Sequence, residues 1–204
     1  MWNISSAIMN KSLSIGLTGN IGSGKSTIAE VFKAMDYPVY HSDSRAKQMY
    51  YLKPVKEEIY QLLGDQVFEN GEIHLKKMAA VIFRDDEKMN AVNNIIHPRV
   101  IKEYREWLAR QNALLAFQET ALLFETGMQH QFDAVITVVA PLEVRLNRVM
   151  KRDNASKEEI LRRLKHQMNE QKKADLSDFV IVNDEEQAVL PQVLRVLSVL
   201  GNQL

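Results

Sequence analysis

Eight consecutive residues, Gly19-Asn20-Ile21-Gly22-Ser23-Gly24-Lys25-Ser26, are spaced as G-x-x-x-x-G-K-[ST]. The chemistry of that spacing works in one setting only, a glycine-rich turn between a strand and a helix. Glycines let several backbone N–H groups converge on one anion. The following helix aims its positive end at the same point. A lysine at position 25 reaches the β- and γ-phosphates of a nucleotide, and a serine hydroxyl at 26 ligates Mg²⁺. The flanks supply the setting. Ser12 to Thr18 reads as a short apolar strand, and between Ser26 and Met35 the residues Ile28, Ala29, Phe32 and Met35 fall on one helical face. Gly19 to Thr27 is therefore expected to bind ATP with Mg²⁺, with Ser26 as the metal ligand.

Pro38 to Tyr40 is a second short strand, ending at His41-Ser42-Asp43, and Ala113–Phe117, Ala134–Val139 and Phe179–Val182 are continuous apolar runs. Such runs, alternating with helical segments, predict a parallel sheet covered on both faces, here five-stranded in a three-layer α/β sandwich. From Ser44 to Gln111 the pattern is helical and polar, with breaks at Pro54, Gly64, Gly71 and Pro98. That is too long for a crossover and is read as an inserted helical subdomain, residues 44–111. The core would then comprise 12–43, 112–142 and 174–204, with 1–11 an N-terminal extension.

Charge singles out a further segment. The chain balances 26 basic against 26 acidic side chains, yet residues 145–173 hold ten Lys/Arg and four Asp/Glu. Pro141 suits the first turn of one helix there, and Ser156 with Glu159 forms a capping box that starts another. Two helices with a turn around Asp153 to Ser156 are expected. Zero net charge gives no global pull toward nucleic acid or anionic membrane, and neither is expected as a partner. No cysteine is present, which excludes disulfides, thiolate nucleophiles and zinc–thiolate sites. The N-terminus lacks the pattern of a secretory signal and no apolar run reaches the length of a membrane span, so a cytoplasmic location is expected.

The guanine signature Asn-Lys-x-Asp and the switch Asp-x-x-Gly are both missing, which argues against a GTPase. A motor ATPase usually has an apolar strand ending in Asp; Phe117-Gln118-Glu119 only approximates it. Glu119 is either an aid to the metal through water or a solvated strand end. A small-molecule kinase needs a base for the acceptor hydroxyl, cations around the transferring phosphoryl group, and exclusion of water. Asp43 follows the second strand at the edge where ligands bind in such sheets, and serves either as that base or as an N-cap. Arg145, Arg148 and Arg152 lie at i, i+3 and i+7 on one helix face, as transfer-site cations or as a solvated stripe.

At this point the residues resemble a known family, dephospho-CoA kinase. The likeness runs from about Leu13 to Arg195: Ile15 through Thr27, Val39 to Asp43 with Arg45-Ala46, Ile96-His97-Pro98, Leu122-Leu123-Phe124-Glu125, Arg148 with Lys151-Arg152-Asp153, Arg163, Gln167, Ala174-Asp175 and Val180-Ile181-Val182-Asn183. The resemblance implies an adenylate-kinase-like P-loop fold with a CoA-binding helical insertion and a lid at 143–173. It implies transfer of the ATP γ-phosphoryl group to the ribose 3′-hydroxyl of dephospho-CoA, the last step of coenzyme A biosynthesis, with no obligate protein partner. By the same resemblance Asp43 is the base, Lys25, Arg148 and Arg152 are catalytic cations, and His97, Arg99, Leu122 and Glu125 line the acceptor side. Asn183 lies near the adenine. The alternatives are a nucleoside monophosphate kinase and a non-enzymatic ATP-binding regulator. Three positions depart from the family pattern. His41 replaces an acid, Ala121 a proline, and Asn20 stands where glycine is common, which would ask Asn20 to tolerate left-handed dihedrals.

Overall fold

The computed structural model describes residues 12–202; the expected extension at 1–11 lies outside the described residues. In chain order the elements are β1 (Leu13–Thr18), α1 (Lys25–Ala34), β2 (Val39–His41), α2 (Ser42–Met49), α3 (Lys53–Leu63), β3 (Phe68–Glu69), β4 (Glu72–Ile73), α4 (Leu75–Ile82) and α5 (Asp86–Leu108). There follow β5 (Leu115–Glu119), β6 (Ala134–Val139), α6 (Leu142–Asp153), α7 (Lys157–Lys165), α8 (Glu170–Asp175), β7 (Phe179–Val182) and α9 (Val189–Gly201). They divide into two compact units. One holds the described residues up to Tyr40 together with those from Leu108 onward; the other is His41–Trp107.

The first unit is built on a five-stranded parallel sheet in the order β2-β5-β1-β6-β7. Its register sets the site. Leu17 lies opposite Glu119, Thr18 opposite Thr137, and Val139 opposite Val182, so the carboxyl ends of β5, β1, β6 and β7 share one edge. Two aspartates fasten the opposite end: the Asp133 carboxylate accepts from Ser14 N at 2.7 Å and that of Asp178 from Val135 N at 2.8 Å. On one face Ile15, Leu17, Phe117, Ile136 and Ile181 pack with Ile28, Ala29 and Phe32 of α1 and with Val193, Val196, Leu197 and Leu200 of α9. The Phe32 ring stacks on Phe117 at 3.9 Å. Burying each such side chain stabilises the fold by roughly 1.5–3 kcal/mol. A smaller cluster of Leu123, Phe124 and Val135 forms elsewhere in the unit, and Leu146, Val149 and Ile160 join α6 to α7.

Several expectations need correction. The strand expected at Ala113–Phe117 runs from Leu115 to Glu119, so Gln118 and Glu119 are buried inside it rather than ending it in solvent. The basic segment holds three helices, not two. Asn154 in the left-handed region (φ 50°) ends α6, the Ser156–Glu159 capping box starts α7 as its sequence indicates, and α8 was not anticipated.

In the second unit Pro54 sits in the first turn of α3, where the missing N–H costs nothing, and Gly64 caps its end. Gly71 marks a hairpin rather than a helix break. Asn70 and Gly71, both at positive φ, join β3 to β4, the local signature of a tight turn. Pro98 breaks nothing, for α5 runs through it over 23 residues. Val92, Ile96, Val100 and Tyr104 bury one stripe of that helix on both sides of the proline. The Arg99 guanidinium donates to Ile95 O at 2.6 Å, in the turn where Pro98 lacks a donor. No helix among the described residues is long and apolar enough to cross a membrane.

Candidate active site

The loop from Gly19 leaves β1 at the shared strand edge and turns into α1. Two of its glycines are required by close approach. A Cβ on Gly22 (φ 81°) would stand 2.5 Å from Arg145 O, and one on Gly24 (φ 92°) would stand 2.0 Å from the Asn183 side chain. The loop is therefore pressed between α6 and the end of β7, with Ser23 fully buried. Asn20 does not adopt a positive φ, so it needs no left-handed tolerance; its side chain donates to Met168 O at 3.1 Å instead. α1 begins at Lys25 with no side-chain cap and no acid in its first turn. A helix start of this kind suits an anion.

Glu119 completes this corner. Ser26 Oγ donates to Glu119 Oε1 at 2.9 Å, and Lys25 Nζ lies 3.4 Å from the same oxygen. Glu119 is the member that sequence reasoning left undecided. Its signal was its place at the end of an apolar strand next to the loop's strand. Among the described residues no group of three or more His, Cys, Asp or Glu could hold a metal by itself. A hydroxyl beside one carboxylate fits Mg²⁺, which takes few protein ligands and fills its shell with water and phosphate oxygens.

The three arginines of α6 meet different fates, though they share a helix face. Arg148 reaches the loop: Nη1 lies 3.4 Å from both Gly22 O and Ser23 O, Nη2 donates to Asn183 Oδ1 at 3.4 Å, and Nε pairs with Glu185 at 3.0 Å. Arg145 turns inward and is buried, with Nε 2.9 Å from Ala140 O and 3.3 Å from Glu170 Oε1. Burial pushes the Glu170 carboxyl above its ordinary value, against the pull of Arg145. Arg152 is 63% exposed and forks onto Asp153, which Arg163 also approaches. Those two cations hold the Asp153 carboxyl below its usual range, the Arg152 hydrogen bond contributing most.

The remaining candidates are distributed as follows. Asn183 donates from Nδ2 to Ser23 O at 2.9 Å, against the loop backbone. Leu122 is half-buried, and Glu125 accepts from Met168 N at 2.6 Å and Lys173 Nζ at 2.9 Å. Asp43 is exposed in the first turn of α2, whose N-cap is His41; the N-cap reading of Asp43 does not hold. His97 is half-buried mid-helix, and burial lowers its pKa. Arg99 pairs with Glu58 at 2.5 Å. Asp43, His97 and Arg99 belong to the second unit, and Lys25, Ser26, Arg148, Arg152, Asn183, Leu122 and Glu125 to the first.

The sequence profile of the dephospho-CoA kinase family matches residues 13–188. The chain belongs to the dephospho-CoA kinase family. Members of the family phosphorylate dephospho-CoA in the last step of CoA biosynthesis, and this member is accordingly a kinase with ATP as co-substrate. It is 38% identical over 194 residues to the dephospho-CoA kinase of Bacteroides fragilis, covering 94% of this chain and 95% of the relative. A crystal structure from Thermus thermophilus is 35% identical, with a TM-score of 0.83 over 95% of this chain and 98% of that one. A dephospho-CoA kinase structure from Campylobacter jejuni, at 23% identity, shares the fold with a TM-score of 0.64, covering 94% and 98% of the two chains. The expected fold, a parallel sheet in a P-loop kinase, is the one observed.

Proposed function

We propose that this dephospho-CoA kinase moves the ATP γ-phosphoryl group to the ribose 3′-hydroxyl of dephospho-CoA on the edge formed by β1, β5 and α1. The observation that carries the reading is the Lys25–Ser26–Glu119 corner beneath a glycine-rich loop spanned by Arg148. The Gly22 N–H and those at the start of α1 bind the phosphates, while the Ser23 N–H closes the loop on Asn20 O at 3.0 Å. Lys25 and Arg148 offset charge that grows on the γ-oxygens. Ser26, with Glu119 beside it, would hold Mg²⁺, which would supply charge neutralisation to the phosphates. Asn183 fixes the loop at Ser23 and flanks the nucleotide.

Asp43 accepts the proton as the 3′-oxygen forms its bond to phosphorus and the bond to the bridging β,γ-oxygen breaks. His97, Arg99 and Leu122 face the acceptor. What supports an acceptor role for residues 44–111 is that His41–Trp107 packs as a compact unit of its own. Residues 143–173 act as the lid, Arg152 on its rim, and exclude water from the transfer. A coupled assay offering dephospho-CoA beside a panel of nucleoside monophosphates tests this. Phosphorylation of dephospho-CoA alone is expected. Preference for a monophosphate would overturn it, and ATP binding without transfer to any acceptor would leave a regulator.

A further inference from the structure

The phosphate loop is held at Asn20 and Ile21 by a segment outside the loop and its flanking strand and helix. Gln167 Oε1 accepts from Ile21 N at 2.9 Å, and Met168 O accepts from the Asn20 side chain at 3.1 Å. Asn20 is buried. Both partners lie in the short link between α7 and α8, which has no regular structure of its own. That link is fixed in turn: Met168 N donates to Glu125 Oε1 at 2.6 Å. The same carboxylate oxygen takes Lys173 Nζ at 2.9 Å, and Lys173 Nζ also donates to Ala121 O at 2.8 Å. Lys173 is fully buried. A buried ammonium is costly unless paired, so Lys173 locks Glu125 and the 121–125 segment to α8.

We infer that Asn20, Gln167, Met168, Glu125 and Lys173 form a brace that positions the phosphate loop for ATP. The inference rests on the loop's proposed role as the ATP site. A glycine-rich loop has many accessible conformers, and only those with converged N–H groups bind phosphate. The apparent affinity falls with the fraction of loop that is competent. By engaging the Ile21 N–H and the Asn20 amide, the brace selects that fraction. It also ties the loop to the chain that follows the basic helices, so the loop and α6–α8 are set together. Glu125, which the family resemblance puts on the acceptor side, is on this reading a positioning residue for the nucleotide. Asn20 supplies with its side chain a bond that glycine at this position would lack.

The test separates nucleotide from acceptor. Gln167→Met keeps size but removes the acceptor for Ile21 N; Asn20→Ala removes the bond to Met168 O. Calorimetric titration with ATP and Mg²⁺, without acceptor, reads binding directly. Each variant is expected to weaken ATP about three- to tenfold, the scale of one net hydrogen bond. The double variant is expected to lose less than the product of the two, because both bonds act on one segment. The dephospho-CoA KM at saturating ATP is expected to stay within about twofold of wild type. Lys173→Met, if it folds, is expected to share the ATP defect; if it does not, the first two variants decide. Wild-type ATP affinity in Gln167→Met would overturn the inference. So would full multiplicativity in the double variant, or a rise in both substrates' KM together with a lower unfolding temperature. A wild-type protein that binds ATP but does not phosphorylate dephospho-CoA would sink the proposed function and leave the titration valid.

Discussion

At the scale of single residues the site rests on charges placed within a few ångströms of one another. Lys25 stands 3.4 Å from Glu119, and Arg148 lies across the loop. Lys25→Ala is expected to cut turnover at least about 10²-fold, the scale of losing one preorganised charge-stabilising group, with unfolding temperature close to wild type. Near-normal turnover in the folded variant would remove the phosphate-loop assignment. Asp43 offers a cleaner contrast, since it occupies the first turn of α2 rather than its cap. A carboxylate there gains from the helix dipole only about 0.3–1 kcal/mol. As a base it is worth about 10²–10⁴-fold in rate. Asp43→Asn keeps shape and removes the proton acceptor. The expected result is a wild-type melting curve, a fall of that size in turnover, and loss of the acidic limb of the pH–rate profile. A variant retaining more than about a third of its turnover, against that range, would return Asp43 to a structural role.

At the scale of elements α6 is the instructive case. Its arginines at 145, 148 and 152 share a face by spacing, yet one is buried against α8, one spans the phosphate loop and one is solvated. The helix wheel gives the direction of a side chain from its own axis, but the neighbour in that direction comes from the sheet order. Two substitutions are therefore expected to separate stability from catalysis. Arg145→Met takes one cation from the partly buried Glu170 carboxylate, leaving it the pull of Lys173, and is expected to lower stability by about 1–3 kcal/mol, the cost of leaving a buried polar group under-satisfied. Arg148→Gln is expected to leave unfolding nearly unchanged while turnover falls more than ATP affinity, because charge compensation counts most in the transition state. Chemical denaturation and steady-state kinetics on both variants check this. An Arg148 variant that lost only ATP affinity would make α6 a binding surface.

At the scale of the whole molecule, stability couples to pH through groups whose proton affinity burial shifts in each of the two units. Burial lowers the His97 pKa below the usual 6.5. The folded chain therefore binds fewer protons at this position than the unfolded chain does. Its contribution to stability is present above about 6.5 and is lost as pH falls toward the folded value. Glu170, raised by burial, acts in the opposite sense, its contribution fading as pH rises through its folded value. Comparing wild type with His97→Gln cancels the Glu170 contribution. The variant is expected to show a shallower fall in unfolding free energy as pH drops from 7 through the imidazole range. Equal slopes for the two proteins would mean that His97 is already as solvated in the folded chain as in the unfolded one.

The phosphate loop, its flanking strand and helix, the alternation of apolar runs and the Ser156–Glu159 cap were legible because each is local. Backbone conformation, apolar period and capping are set by residues within a turn or two of one another. The Asn70-Gly71 hairpin was equally local and simply went unread. Pro98 and Glu119 were different. A proline's cost inside a helix can be overcome when the stripe on both sides of it is buried, as in α5, and that burial belongs to the packed unit. Whether Glu119 met solvent or Ser26 depended on β5 lying beside β1 with Leu17 opposite it, far apart in the chain. The same holds for Arg148 over the loop and for Glu125 drawn to Lys173 and Met168. Sequence spacing carried the candidate groups; strand order and register, fixed by long-range burial, decided which of them came together.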